Sequence, residues 1–369
     1  MISKACVRAA THSKLEAIAA QGVDLTVVVP PYWRDDAGRK DWLERTPAEG
    51  FRLVVEPMVF NGHFHYHWYP RVGRLFRELR PDVLHMDEEP YNVATLQGFW
   101  LAGRTGARPL FFTWQNLIRR YPPPFSWIER YVYRRATGAI CGNADAVGVL
   151  RAKGYTGRTW VIPQFGVDTS LFYPRPRPEG EPRPFTVGWF SGRLRPFKGV
   201  HLLVQAVAAL GDDTRLEILG WGPQEPALRA LAAQLGLGDR FAMQPGLPSE
   251  RVPEFISRLD VAVLPSLSTP QWKEQYGRVI FEAMACGVPV VGSDSGEIPH
   301  AIGDAGLIFP EGDVQALAAC LRRLRDDASL RAELAARGLA RVRARFTQEQ
   351  IARQTVEAYR EILGAGRYA

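Results

Sequence analysis

The stretch WKEQYGRVIFEAMACGVPVVGSDSGEIPH, residues 272–300, decides how this chain is read. Val279, Ile280, Ala283 and Met284 recur at helical spacing from about Gly277, which predicts an amphipathic helix there. Gly287 stops that helix and Pro289 keeps it from resuming. VPVVGS, 288–293, is a short β-branched run of the kind buried in a parallel sheet. Ser295-Gly296 makes a second turn at its carboxyl end. Two loop-to-helix junctions thus fall side by side, which is where open α/β sheets bind their ligands.

Two carboxylates bracket the first junction. Glu274 is expected in the loop before the helix and Glu282 about one turn inside it. A helix N-terminus carries free amides and partial positive charge, so it suits a phosphate. A carboxylate there repels that phosphate unless it holds hydroxyls to either side of it. The spacing suits a ligand with a sugar at each end of a diphosphate. The plainer reading is one surface glutamate and one that favours the helix dipole.

With its neighbours added, the stretch resembles the GT-B glycosyltransferases of the large retaining family 4, whose signature is Glu-x7-Glu within a segment like ExFGxxxxEAMAxGxPVV. Here Glu274, Tyr276, Gly277 and Glu282 run on into EAMACGVPVV, and SDSGEIPH stands where the family often has paired glycines and IPE. SGRLRPFKG, 191–199, with Arg193 and Lys198, is similar to a second family motif. VIPQFGVDTSLF, 161–172, is similar to the family's interdomain segment. The resemblance covers residues 161 to about 345 and is looser before them.

The resemblance implies an α/β chain of GT-B type: two Rossmann-like, doubly wound parallel-sheet domains facing a cleft, with a C-terminal helix crossing back. It implies transfer of a hexose from a nucleotide-diphosphate sugar to an acceptor hydroxyl with retention of configuration. The departing phosphate would take the acceptor's proton, so no protein nucleophile is needed. Glu282 would grip ribose hydroxyls and Glu274 those of the donor sugar, and Arg193, Lys198 and Glu274 would form the catalytic set. Gly192, Gly220 and Gly277 would let the backbone approach the nucleotide, and Tyr276, Arg278, Val279 and Gly296 would complete the donor side. No cofactor is implied beyond the donor, which is a substrate. Lys198 and Glu274 are both expected to face solvent in the cleft.

Two other classes stay open. A GT-B-fold nucleotide-sugar epimerase should carry acid/base carboxylates in its first domain and lack the Glu-x7-Glu setting. A non-catalytic sugar-nucleotide-binding protein has no need of the Arg193, Lys198, Glu274 and Glu282 set.

At 369 residues the chain suits two domains. The proline-rich run PRPRPEGEPRP, 174–184, is predicted to link them. It divides the chain into an acceptor-side domain 1–173, with a helix at about 347–369 returning to it, and a donor-binding domain 174–346. Strands alternate with helices from residue 185 onward, which makes a parallel doubly wound sheet. Ile351, Val356, Tyr359 and Ile362 stripe the terminal helix.

In the first half, 25–33, 51–60 and 81–86 read as strands, 107–116 as a buried strand followed by a polar tip, and 12–20 as a helix. A parallel unit needs a strand before that helix, yet only MISKACV is available. Either the first strand is very short or the protein starts upstream of Met1. CVRAATHSK fills the place of the family's glycine-rich loop, with Arg8 and His12 as candidate acceptor contacts. Asp87-Glu88-Glu89 closes a strand at its carboxyl end, and Glu88 and Glu89 are read either as acceptor contacts or as caps of the next helix. Gln115 aligns with a histidine that many family members carry, with Asn116 beside it; a glutamine takes no proton at neutral pH, which disfavours a base there.

His63, His65 and His67 alternate, so in a strand they would share a face and could hold a metal; in a loop they would line a cleft. No metal is predicted. The chain contains no Asp-x-Asp pair, and Arg193, Lys198 and helix amides near Gly277 and Gly296 offer the positive charge a departing diphosphate needs.

Net charge is +7, and residues 1–173 hold 22 Lys+Arg against 16 Asp+Glu while residues 174–369 hold 24 against 23. The basic half carries no nucleic-acid-binding motif, so nucleic acid is not expected as a partner. Its most basic stretch, 117–138, interleaves Arg119, Arg120, Arg130, Arg134 and Arg135 with Trp127 and Tyr131, behind Ser126 as predicted cap. That face reads either as peripheral contact with an anionic membrane or as a solvated helix surface. A glycan or lipid-linked acceptor is expected with it. No run of about 18 apolar residues is present to span a membrane. The start lacks the basic and apolar regions of a signal peptide. Cys6, Cys141, Cys286 and Cys320 have no CxxC spacing and are expected as buried thiols in a reducing cytoplasm. The expected location is cytoplasmic, at the inner face of the cell membrane.

Overall fold

The computed structural model describes residues 1–35, 38–44, 49–176 and 183–364. The chain divides into two compact units, Met1–Gly166 with Gln348–Ala369, and Val167–Thr347.

The first unit holds strands β1 (Thr26–Val29), β2 (Tyr32–Arg34), β3 (Lys40–Trp42), β4 (Arg52–Val55), β5 (Val83–Met86), β6 (Arg108–Thr113), β7 (Gly138–Cys141) and β8 (Thr159–Val161). Around them lie α1 (His12–Ala19), α2 (Val72–Leu79), α3 (Val93–Thr105), α4 (Phe125–Arg135) and α5 (Ala144–Ala152). β4 pairs with β1, and β5 through β8 pair in sequence, all in parallel. Ile2 joins these two pieces by bridging Val28 on one side and Met86 on the other. Its N–H donates to the His85 carbonyl at 2.9 Å and its carbonyl accepts from Asp87 N–H at 3.0 Å. Ile2 thus holds the place between β1 and β5, and the order is β4-β1-Ile2-β5-β6-β7-β8.

Two strands end earlier than expected, each at proline. The run 25–33 stops at Val29, before Pro30-Pro31, and Tyr32–Arg34 turns instead into an antiparallel pair with β3. The run 51–60 stops at Val55, two residues before Pro57. Helix α4 begins at Phe125 with Pro124 at its cap position, so Ser126 lies inside the helix and does not cap it.

The second unit runs β9 (Phe185–Arg193), α6 (Val200–Ala208), β10 (Thr214–Trp221), α7 (Glu225–Gln234), β11 (Phe241–Gln244), α8 (Val252–Ile256), β12 (Val261–Leu264), α9 (Arg278–Ala285), β13 (Val290–Ser293), α10 (Ile298–Ile302), β14 (Gly306–Phe309), α11 (Val314–Asp326) and α12 (Ala328–Arg345). Its sheet is parallel throughout, in the order β11-β10-β9-β12-β13-β14. The chain moves outward from β9 in one direction and resumes at β12 in the other, so the order reverses between β9 and β12. Finally, α13 (Gln348–Gly364) belongs to the first unit.

In the first unit, alternate side chains of each strand serve opposite faces. Val27, Val29, Leu110 and Phe112 pack with Leu15 and Ile18 of α1 and with Ile351, Val356, Tyr359 and Ile362 of α13. Val28, Met86 and Phe111 pack with Leu75, Phe99, Ile128 and Val132 from α2, α3 and α4.

The expected division at 173/174 falls inside the second unit. Val167 N–H donates to the Phe346 carbonyl at 2.7 Å, Val167 bridges Thr347, and Phe172 packs into that unit's core. Of the proline-rich run, residues 177–182 lie outside the described residues. Cys6, Cys141 and Cys286 are buried free thiols, while Cys320 is half-buried. Among the described residues no helix is long and apolar enough to cross a membrane.

Candidate functional site

The site of the second unit is built from the loops that leave β9 and β12, the two strands flanking the order reversal. β9 ends at Gly192-Arg193, and a short turn, Pro196–Lys198, follows. Gly199 closes that turn at φ +66°, where a Cβ would run into the Pro265 carbonyl oxygen. Only glycine lets the turn press so close against the end of β12. Lys198 Nζ is thereby placed 2.9 Å from Glu274 Oε2, and the same oxygen accepts from Ser266 Oγ at 3.0 Å. The second glycine turn locks the other side: Gly296, φ +54°, sits where a Cβ would strike the Glu274 carbonyl oxygen, which accepts from Glu297 N–H at 3.1 Å.

The two residues are therefore less open than expected, Glu274 buried and Lys198 half-buried. Glu274 is 8% exposed and the Lys198 side chain 15%, because two Cβ-less residues allow the loops to close over them. Trp272 completes the cover, its ring 4.7 Å from Lys198 Nζ and packed at a tilt against Phe197 at 4.3 Å. The reading from residues passed over Trp272, since a lone aromatic in a loop belongs to no periodic pattern.

Gly277 starts α9 at φ +65° with no side-chain cap; Ile280 N–H donates to the Gly277 carbonyl at 2.8 Å, which leaves the amides of Arg278 and Val279 as those a ligand can meet. Glu282 lies one turn in, buried, and accepts from Arg278 Nε at 2.9 Å. Burial raises its carboxyl against the opposing pull of Arg278. The helix is buried nearly all round, with the Phe281 ring packed at a tilt against Phe346 at 4.2 Å and Tyr276 at 4.9 Å. Val279, expected on the apolar face, is only half-buried. Arg193 is exposed, its guanidinium 5.5 Å from the exposed Trp221 ring. A Cβ on Gly220 would lie 2.5 Å from the Gly192 carbonyl oxygen, so these glycines allow β9 and β10 to approach one another.

In the first unit, Lys4 follows Ile2 and Glu88 follows β5, on either side of that sheet's own order reversal, and they form a buried ion pair. Glu88 also accepts from Asn92 Nδ2 at 3.1 Å and lies 3.5 Å from His67 Nε2. Burial works to raise its carboxyl, but Lys4 and then His67 outweigh burial and hold it at about 2. Glu89 goes the other way. Burial pushes it up to about 7, although Thr113 Oγ1 at 2.6 Å and Trp114 N–H at 2.8 Å donate to it. Asp87 accepts from Ser3 Oγ at 2.6 Å and Gln164 Nε2 at 2.8 Å. These carboxylates do not cap α3, whose cap position is Asn92; they tie the strand ends together.

His12 is buried, with Nε2 3.2 Å from the Cys6 carbonyl and its ring edge-on to Phe51, so it belongs to the packing of α1 and not to an open surface. Arg8 is exposed and 3.0 Å from Asp41. Gln115 is buried between Tyr121 and Lys153, donating to the phenol at 3.5 Å and accepting from the ammonium at 3.4 Å, and Asn116 is buried beside it. Residues 60–67 form turns, so His63, His65 and His67 do not share a strand face. His65 lies 5.3, 5.5 and 5.0 Å from the rings of Tyr91, Tyr121 and Phe125, while His67 turns toward Glu88. Among the described residues no group of three or more His, Cys, Asp or Glu could hold a metal ion.

Two Rossmann-like units, the second with a lysine, a carboxylate and an uncapped helix start gathered at its order reversal, define the GT-B class of α/β proteins. Comparison with protein families finds glycosyl transferases group 1 over residues 176–341 and the glycosyl transferase 4-like domain over residues 7–164. The chain belongs to this family, the family 4 GT-B glycosyltransferases. A GDP-mannose-dependent alpha-(1-6)-phosphatidylinositol monomannoside mannosyltransferase of Mycolicibacterium smegmatis is 32% identical to it over 341 residues, covering 84% of each chain. A D-inositol 3-phosphate glycosyltransferase of Acidothermus cellulolyticus is 35% identical over 232 residues, 58% of this chain; the match spans 50% of that relative's length. The solved glycosyltransferase of Rickettsia africae shares the fold, with a TM-score of 0.74 at 15% identity over 98% of this chain and 97% of that one.

Proposed function

We propose that this chain transfers a hexose from a nucleotide-diphosphate sugar to an acceptor hydroxyl, with retention of configuration and without a metal ion. One observation carries the reading: the Lys198–Glu274 pair stands at the order reversal of the second sheet, beside the uncapped start of α9 and with Glu282 a turn inside it. That arrangement offers a cation and helix amides to a diphosphate and one carboxylate to each flanking sugar. Glu274 holds donor-sugar hydroxyls, Glu282 holds the ribose, and Lys198 and Arg193 stabilise the departing phosphate. The bond from the anomeric carbon to the phosphate oxygen breaks, a bond to the acceptor oxygen forms on the same face, and the acceptor's proton passes to that phosphate oxygen.

The mannosyltransferase relative, whose name specifies a GDP-mannose donor and a phosphatidylinositol-linked acceptor, supports a nucleotide-sugar donor and a lipid-linked or glycan acceptor. We take the protein to work at the inner face of the cell membrane. The test is a thermal-shift screen against UDP-, GDP- and ADP-sugars, followed by incubation of the best binder with and without acceptor extract. A ligand that binds only the folded state raises its melting temperature with occupancy. Stabilisation by one donor class and acceptor-dependent sugar transfer are expected. An epimerised donor without acceptor would establish the epimerase reading instead, and binding with no turnover the non-catalytic one.

A further inference from the structure

We propose that residues 60–66 and the exposed face of α4 together form a membrane-docking surface on the first unit, and that its partner is the head-group layer of an anionic bilayer. Helix α4 turns Phe125, Ile128, Glu129 and Val132 to the core. Trp127, Arg130, Tyr131 and Arg134 follow the complementary i, i+3, i+4, i+7 spacing on its other side and, with Arg135, line one shallow depression. The turns at 60–66 lie beside the start of this helix, where the Tyr66 ring packs on Phe125 at 5.0 Å. Across the two segments Phe60, Phe64, Tyr66 and Trp127 are 58, 42, 52 and 59% exposed, and Ile118, in the loop before α4, is 62% exposed. Large apolar side chains held out together in this way mark an interaction surface.

Charge selects the partner. Arg119, Arg120, Arg130, Arg134 and Arg135 are all exposed. Glu129 is the sole carboxylate of residues 117–138, and it is buried and paired with Lys153. A face of arginines and aromatic rings with no exposed carboxylate between them matches anionic head groups, with the rings at interfacial depth. Its position also fits: Phe64 lies against the Lys4 ammonium at 4.3 Å, and Lys4 pairs with Glu88 at the carboxyl edge of the first sheet. A lipid-borne acceptor would therefore arrive beside that edge. Only this last point rests on the proposed function; the lipid contact does not.

The experiment is co-sedimentation of the full chain with vesicles of phosphatidylglycerol and phosphatidylcholine, or of phosphatidylcholine alone, at low and high salt. The wild type is expected to pellet with the anionic vesicles at low salt and to be released at high salt. Arg130→Gln/Arg134→Gln/Arg135→Gln should bind about 100-fold more weakly, roughly fivefold for each arginine. Tyr66→Ser/Trp127→Ser should also lose binding, and both variants should melt like the wild type because the altered residues are surface ones. Wild type that stays in the supernatant, arginine variants that bind unchanged, or equal binding to phosphatidylcholine alone would each overturn the proposal. Vesicle binding is read without turnover, so its failure is distinct from failure of the transferase reading.

Discussion

Lys198 Nζ and Glu274 Oε2 stand 2.9 Å apart although 76 residues separate them in the chain. The contact joins the turn after β9 to the loop after β12, and it is set beneath Trp272. The cation we propose for a phosphate is thus also the counter-charge of the carboxylate we propose for a sugar, so the two proposed roles are coupled before any ligand arrives.

The pair gives the first prediction. Lys198→Ala removes the cation from a buried carboxylate and should cost about 1–3 kcal/mol of stability along with at least about 100-fold in kcat/KM. Glu274→Gln keeps the shape and an acceptor for Ser266, so it should lose comparable activity at smaller cost in stability. Thermal unfolding and steady-state kinetics of the two variants decide it; a Lys198→Ala protein as stable as wild type contradicts the coupling.

Gly296→Ala gives the second. The substitution meets both a left-handed backbone, φ +54°, and the Glu274 carbonyl oxygen. It should lose about 2 kcal/mol or more and lower activity by moving Glu274. Gly312, at φ +79° with nothing within 4 Å of its would-be Cβ, is the control; Gly312→Ala should cost about 1 kcal/mol and leave activity intact. Equal effects at the two positions would show that the contact with Glu274 does not matter.

The third concerns pH. Glu89 titrates at about 7 in the folded chain against an ordinary 4.5, chiefly through burial. Between those values the folded state keeps a proton that the unfolded chain has released. The stability from Glu89 is therefore complete below pH 4.5 and is lost as pH rises through 7, by about 3 kcal/mol in all. Urea unfolding of wild type and Glu89→Gln across this window measures the difference, because glutamine keeps a carbonyl acceptor for Trp114 N–H and an amide N–H that can donate to Thr113 Oγ1, but does not titrate. Parallel pH profiles of the two proteins would refute the assignment.

The fourth follows from the source of positive charge at the donor diphosphate. With Arg193, Lys198 and the start of α9 in that role and no Asp-x-Asp in the chain, turnover should be unchanged by EDTA. Loss of activity on chelation that Mn²⁺ or Mg²⁺ restores would require a metal and a different account of the departing phosphate.

Much of the second unit was legible in its residues. The helical stripe before Gly287, the β-branched run after it and the glycines at 277 and 296 are local signals, and each element formed where its own residues favour it. The first unit was harder to read for an equally local reason. A single residue, Ile2, does the work of a strand, and one residue has no periodicity. His12 looked available as a polar residue at an acceptor-side loop, but it packs edge-on to Phe51, which lies far outside its own stretch, and meets the Cys6 carbonyl within it. His63, His65 and His67 alternate in sequence, yet turns give alternation no common face.

Residue types, their spacing and the placement of glycine and proline thus determined by themselves the α/β class, the donor motif and the carboxylates within it. These properties depend on backbone freedom and side-chain period over a few residues. Tertiary structure alone decided that Lys198 reaches Glu274, that Lys4 holds Glu88 charged while burial keeps Glu89 near neutrality, and that Tyr66 comes to pack on Phe125 at the start of α4. Those outcomes depend on where distant loops close and how much water they exclude, and no local pattern in the chain encodes either.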